Sequence, residues 1–469
     1  MLEKKLTCFI SKALKYIIVF LPIIWGLYIV DKYGVNVCYL DEWTYFQNRE
    51  HFLSIDYLWA QHNEHRMLFP KIITFIIGSL FSWNSKAFMY TSQCFLLLLY
   101  LTVFILVLDE RKLKEIKWAD VIEIAAVGLC VYNCAQCENL LWGFKVAWIM
   151  IVSLGSISYI AFDKFLKTGR RKYFLYSMIL AIISSYSSLH GLAVWGGYLL
   201  LVIVKIFFKE KLTWKILFGI IATCFSTVLL YFLGWSRVSG HQQYAGSNVK
   251  QILKYFFGQI GEVLVSTNQK VSYLIAILLF SVFAFFLILC VYKRKMIANI
   301  KYIGPMIMGL GSMFFIAMGR SNGNTGAYIA SRYVTNSMIF LSFFMLLLLK
   351  VIKHTRSILQ SEQKWRVLPR LHIMPHYNVK KTMQTVTCVL VILFIGLAGL
   401  TINRNVRMEK NVMTRYKKMS QAKTILTHYE QYEAKDYQIF YPIPENDVEK
   451  WRALFKTMKE EHLNAFNGE

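Results

Sequence analysis

The run LKYIIVFLPIIWGLYIV, residues 14–30, decides how the rest of the chain is read. Seventeen mostly apolar residues are long for a signal-peptide core, no small-residue cleavage site follows, and further apolar runs come after it. It reads as an uncleaved membrane helix. Comparable runs lie near 86–108, 119–137, 145–162, 173–189, 191–208, 214–234, 271–292, 301–318, 334–352 and 385–402. With 469 residues, 56% of them apolar, the chain is expected to be an all-α, polytopic membrane bundle of about eleven spans. Residues 1–402 form the membrane domain, with 31–66 as its first external loop, and residues 403–469 form a small external helical piece. The run Met67–Ser82 is only about 16 residues long and marginal for a crossing. It is expected to be re-entrant or interfacial, or a crossing compensated by a misplaced neighbouring span, because a lone crossing there would turn every later basic loop outward.

The net charge of +26 sets topology rather than marking a nucleic-acid partner. Alternate connections (the N-terminus, DERKLKEIKW, DKFLKTGRRK, KEKLTWK, KRKMIANIK and the 350–383 loop) carry 28 Lys and Arg, whereas the opposite connections carry about ten, the C-terminal tail left out. Basic loops stay cytoplasmic. The N-terminus is therefore expected inside and the C-terminus outside. Nine cysteines form no disulfide framework, and the trio Cys130, Cys134 and Cys137 ends an apolar span, where small polarizable side chains are ordinary filling.

The unusual polar clusters all fall on the outer side. Behind the first span comes YLDEWTYFQNREHFLSIDYLWAQHNEHRMLFP, residues 39–70. Asp41 and Glu42 lie near the membrane surface, where a partly desolvated carboxylate suits a general base. Asp41 directly follows apolar Leu40, so desolvation is expected to fall on it rather than on Glu42. In HNEHR, read as a helix, His62, His65 and Arg66 share one face suited to a phosphate or a sugar. The spacing is not the H-E-x-x-H of zincins, and an oxygen-only metal site of Asp41, Glu42 and Glu64 has no sequence signature, so no metal or other cofactor is assigned. Interleaved Trp and Tyr are interface anchors, and some could stack on a sugar.

In AMGRSNGNTGAYIASRY, residues 317–333, Gly319, Gly323 and Gly326 loosen a loop flanked by Arg320 and Arg332, a pair suited to holding a phosphate. Glu138 and Lys145 bracket LLWGF and are candidates to pair. His190 sits in a short turn and His241 in a longer loop. In the tail, Val448, Trp451, Leu454, Phe455 and Met458 form the apolar stripe of an amphipathic helix.

DEW, WAQHNEHRMLFP, ENLLWGF and a late GR…SRY, in that order, resemble the GT-C class of multispanning glycosyltransferases, and within it the bacterial and prophage serotype-converting glucosyltransferases that modify O-antigen. The resemblance implies inverting transfer of a hexose, glucose in those relatives, from a polyprenyl-phosphate donor to O-antigen or lipopolysaccharide at the periplasmic face of the inner membrane. It implies a base among Asp41 and Glu42, a donor phosphate held by Arg332, Arg320 and Arg66, and substrate contacts from His62, Glu64, His65, Glu138, Lys145 and His190. Two other classes compete. An O-antigen polymerase would rely on arginines in large external loops, and a lipid-linked sugar flippase would carry charge within its spans, as Val271–Tyr292 does not.

Overall fold

The computed structural model describes residues 2–109, 111, 115–238, 241–246, 248–266, 268–322, 329–360, 379–444 and 447–467. Gly323 and Gly326 lie outside them. Among the described residues, ten helices are long and apolar enough to cross a membrane, and the one sheet is a two-stranded hairpin. The chain is an all-helical bundle.

Each apolar run ends where its chemistry changes. Val146–Thr168 stops at Gly169, whose φ of 68° is the left-handed cap that glycine adopts at little cost, and whose N–H closes the last turn on the Phe165 carbonyl at 2.8 Å. The chain then returns as Arg171–Ser185, packed along the helix it has just left. This return was expected as a full span over 173–189. It is a 15-residue helix, about 22 Å long against a hydrocarbon core of about 30 Å, and accounts for ten long helices in place of eleven. The span expected over 119–137 is present as Trp118–Leu140, its first α-helical stretch ending at Val131. Asn133 then caps the 3-10 turn Cys134–Gln136 through its side chain, which accepts the Ala135 N–H, and a last helical turn, Cys137–Leu140, carries Glu138.

The bundle has two chemically distinct ends. At one, Arg111 grips Asp120 with two nitrogens at 2.7 and 2.8 Å, Lys353 reaches Glu123 at 2.6 Å, and Lys301 lies 3.6 Å from Asp163. These groups belong to the lysine- and arginine-rich connections. The other end gathers the first loop and residues 138–145, 187–191, 235–238, 241–246, 320–322 and 329–333. Leu68–Leu80 begins and finishes at this second end: Lys71 near its start donates to the Tyr57 and Ala60 carbonyls, and Ser82 and Trp83 just beyond it accept hydrogen bonds from Asn464. The segment does not cross the bundle.

A second hydrophobic core sits outside the bundle, between the first loop and the C-terminal helices. Trp43 is fully buried there, its ring 5.7 Å from Phe440, 5.1 Å from Trp451 and 5.8 Å from Phe455. The amphipathic stripe behaves as its period requires. Trp451, Phe455 and Met458 are buried, and Val448 and Leu454 pack at the margin. The three cysteines are buried filling: the Cys130 thiol meets the Met338 carbonyl and Cys137 meets the Ser331 hydroxyl.

Candidate active site

The HNEHR stretch is not helical. Gln61–His62 and His65–Arg66 form a tight antiparallel hairpin, with Asn63 at φ 52° in the turn, a conformation that asparagine tolerates better than most residues. The period of two separates what a helix would have joined. His62 and His65 are paired and face one way, whereas Arg66 pairs with Gln61 and faces the other. Arg66 is buried and spoken for. Its Nε donates to the Tyr231 carbonyl at 2.6 Å, Nη1 to Trp59 at 2.7 Å and Nη2 to Leu233, and it stacks on the Trp59 ring. Such a guanidinium locks the hairpin to the neighbouring span and has no free edge for a phosphate.

The acidic pair also divides against expectation. Glu42 is the buried carboxyl, 6% exposed, and burial pushes its pKa up to about 8. Its Oε2 accepts the Tyr39 N–H at 3.0 Å, while Oε1 faces Gly143, where any Cβ would collide with it. The small pocket around it is lined by Cys38, Tyr45, Thr74, Trp83, Phe88, Gly143 and Phe144. Asp41 is the reachable carboxylate, with 40% of its side chain exposed and Oδ1 3.9 Å from His62 Nε2. The reason is the helix Glu42–Gln47, which turns Glu42, Trp43, Tyr45 and Phe46 inward; Leu40, at φ 45°, sets the entry and ties its N–H to the Phe440 carbonyl.

The histidines line the floor. Burial pulls His62 and His65 below the usual 6.5, and His65 Nδ1 accepts the Leu189 N–H at 3.4 Å. His190 stands 6.5 Å from His65, ring to ring, with Nδ1 3.2 Å from the Ser188 hydroxyl. His62 Nε2 and His190 Nε2 are both buried without a hydrogen-bond partner among the described residues. No group of three or more His, Cys, Asp or Glu converges at metal-binding distance among those residues.

Cations complete the site. Lys145 is buried in an aromatic cage, its Nζ 4.0 Å from the Trp142 ring centre and 3.9 Å from that of Trp148. Asp41, Glu138, Arg332 and Arg415 are all close enough for their charges to act on it. Glu138 does not pair with Lys145, as its spacing had suggested. It orients Arg332 instead: Oε2 accepts the Ser331 hydroxyl at 2.8 Å and the Arg332 N–H at 3.0 Å, and Oε1 holds Arg332 Nη1 at 3.2 Å. Arg332 keeps 37% of its side chain exposed. Arg320 lies 3.9 Å from Glu64 and 5.7 Å from the Tyr244 ring. His241 opens the short turn whose last residue, Tyr244, meets Arg320.

Two contributors had no local signal in the sequence. Arg415, on the helix Glu409–Thr427, donates from Nε to the Leu141 carbonyl and stacks beside Tyr39 and Trp142. Asn464, fully buried near the C-terminus, stitches the site shut from behind. Its side chain accepts the Cys38 N–H at 3.0 Å and donates to the Trp83 carbonyl at 2.7 Å and to Ser85 Oγ at 3.0 Å. Its main chain bonds Ser82 and Asn36.

No family model and no curated protein matches this chain. Among solved structures that do, the crystal structure of ArnT from Cupriavidus metallidurans in the apo state superposes with a TM-score of 0.46 at 12% identity, over 91% of this chain and 80% of that one. The archaeal oligosaccharyltransferase AglB from Archaeoglobus fulgidus, in complex with an inhibitory peptide and a dolichol-phosphate, gives 0.39 at 11% identity over 93% of this chain and 60% of that one. Both are likenesses in the course of the chain.

Proposed function

We propose that the protein is an inverting membrane glycosyltransferase that moves a hexose, in the resembled family glucose, from a polyprenyl-phosphate donor to O-antigen or a similar surface glycan. The carrying observation is the meeting of a reachable carboxylate, Asp41, with half-exposed arginines around caged Lys145, at the end of the bundle poor in basic loops. We read that end as periplasmic and the membrane as the bacterial inner membrane, since basic loops face the cytoplasm.

In this scheme Asp41 accepts the proton of the acceptor hydroxyl while that oxygen attacks the anomeric carbon from the face opposite the phosphate. The anomeric C–O bond breaks and its electron pair stays with the lipid phosphate. Negative charge grows on that phosphate oxygen, so Arg332, Arg320 and Lys145 favour the transition state over the ground state. Glu138 holds the Arg332 fork in register. Asp41 is preferred over Glu42 because it can be reached, not because it is desolvated. Arg66 drops out of the phosphate set, its donors being committed to carbonyls. The transfer as written draws on no cofactor. Purified protein in nanodiscs, given polyprenyl-phosphate glucose and lipopolysaccharide, should glycosylate the lipopolysaccharide, and Asp41→Asn should be about 10²–10⁴-fold slower. Undiminished transfer by a folded Asp41→Asn protein would remove Asp41 as base, and no transfer by wild type to any O-antigen acceptor would sink the proposal.

A further inference from the structure

We propose that the C-terminal helix Glu409–Thr427 presents an acceptor subsite for an anionic glycan, formed by Arg415 and Lys418 over the Tyr39 ring, beside Asp41. This rests on the transferase reading and names the acceptor chemistry that the same site would take.

The first observation is a charge in the wrong place. Between 404 and 423 the chain carries seven Lys and Arg and one acid, Glu409. This cluster follows the last span immediately and lies at the end of the bundle where other connections are poor in positive charge. Basic residues so close to a span bias it toward the cytoplasm, so a cluster here opposes the topology that the other loops impose. Arg404 meets Glu262 at 3.0 Å, and the rest of the cluster is suited to an anion from outside the chain.

The second observation shows where. Arg415 uses Nε on the Leu141 carbonyl at 3.2 Å, and its guanidinium lies 5.2 Å from the Tyr39 ring. Its Nη2 is buried and has no hydrogen-bond partner among the described residues. A guanidinium N–H withdrawn from water and left unmatched is a standing cost that an anionic oxygen would relieve. Glu42 and Glu138 feel the Arg415 charge only at longer range.

The third is the platform. Lys418, exposed, donates to the Tyr39 hydroxyl at 3.3 Å and sits 5.3 Å from that ring. Tyr39 is half-buried and is braced from behind by Trp142, at 5.3 Å between ring centres, whose Nε1 holds the Tyr39 carbonyl at 3.0 Å. Two cations held over one tyrosine ring suit a sugar bearing a carboxylate or phosphate. Tyr39 precedes Asp41 by two residues, a reach of at most about 7 Å along the backbone, so a sugar held by these cations brings its hydroxyls to the base.

Anionic lipid headgroups are the competing occupant, and they would engage the outward basic residues Arg407, Lys410 and Lys417. Titration calorimetry on the full chain in phosphatidylcholine nanodiscs separates the two. The probes are trigalacturonate and tri(glycerol phosphate), with maltotriose as the neutral control. Wild type is expected to bind at least one acidic probe about tenfold more tightly than maltotriose, and Arg415→Gln to lose most of that preference. Lys418→Gln, an exposed change with little bearing on folding, should lose part of it. Lys410→Gln with Lys417→Gln should keep it. Equal affinity for acidic and neutral probes, or a preference untouched in both Arg415→Gln and Lys418→Gln, would overturn the proposal. So would variants that differ from wild type only in nanodiscs containing phosphatidylglycerol. None of these readouts needs turnover, so a failed subsite leaves the transfer assay and its Asp41→Asn arm standing, and a failed transfer assay leaves the binding result interpretable.

Discussion

Glu42→Gln offers a test whose size follows from the structure. The native carboxyl holds its proton up to about pH 8, whereas the same group in the unfolded chain releases it near its ordinary 4.5. The native state is then the one that binds more protons between those values, so stability must fall as pH rises through that window and level off above 8. The full difference in proton affinity corresponds to roughly 5 kcal/mol. Part of it is already expressed below pH 6, and about 2 kcal/mol remains to be lost between pH 6 and pH 8. Glutamine keeps the acceptor for the Tyr39 N–H and fits the space beside Gly143, but it cannot ionise. Thermal unfolding of the purified protein in detergent at pH 6, 7 and 8 should show the wild type losing stability relative to Glu42→Gln. Buried His62 and His65 have native pKa values below their unfolded ones, so their effect appears as pH falls below 6.5, and it is common to both proteins. Parallel curves from pH 6 to 8 would refute the assignment of a buried, protonated Glu42.

Asn464→Ala removes a fully buried side chain with three hydrogen bonds, leaving the Cys38 N–H and the Trp83 carbonyl unmatched. A loss of about 2–4 kcal/mol is expected, with hydrogen exchange rising over 36–46 and 82–85 although the mutation lies more than 370 residues away; unchanged exchange there would show that the tail does not hold the loop. Arg66 and Arg332 should separate cleanly: Arg66→Gln lowers the melting temperature through orphaned carbonyls, whereas Arg332→Lys keeps stability but loses turnover, since an ammonium lacks the planar fork. The reverse pattern would exchange their roles. Reporter fusions after Lys117, Lys172 and Lys295 should all report cytoplasm, and external signals at two of the three would invert the sidedness.

Much of the architecture was legible because a bilayer imposes one-dimensional constraints. Run length, apolar content and the side on which Lys and Arg fall are properties of the chain read in order, and they yield the bundle, a Leu68–Leu80 segment too short for an ordinary span and the two unlike ends. The concentration of carboxylates, histidines and arginines in alternate connections is of the same kind, as is the period of the tail stripe. The departures are local competitions that composition does not settle. HNEHR fits a helix as a string of residues, yet a turn at Asn63 and pairing with Ser236 through Gln61 make it a hairpin. Arg171–Ser185 is apolar enough to tempt a long span, yet its hairpin partner and the turn at 186–188 shorten it.

Only the folded molecule decided which member of each pair is buried and committed and which is left reachable. Asp41 and Glu42 are neighbours with the same chemistry, and what distinguishes them is the pocket of Cys38, Tyr45, Trp83, Phe88, Gly143 and Phe144, which encloses the Glu42 carboxyl and leaves Asp41 open. Arg66 and Arg332 are the same side chain, separated by whether main-chain carbonyls or a single carboxylate meets them. Arg415 and Asn464 join the site from positions more than 270 residues beyond the groups they touch. Desolvation and hydrogen-bond satisfaction depend on every atom within a few ångströms, whatever its place in the chain, so the role of an ionisable group is set by contacts that its own neighbours in sequence do not encode.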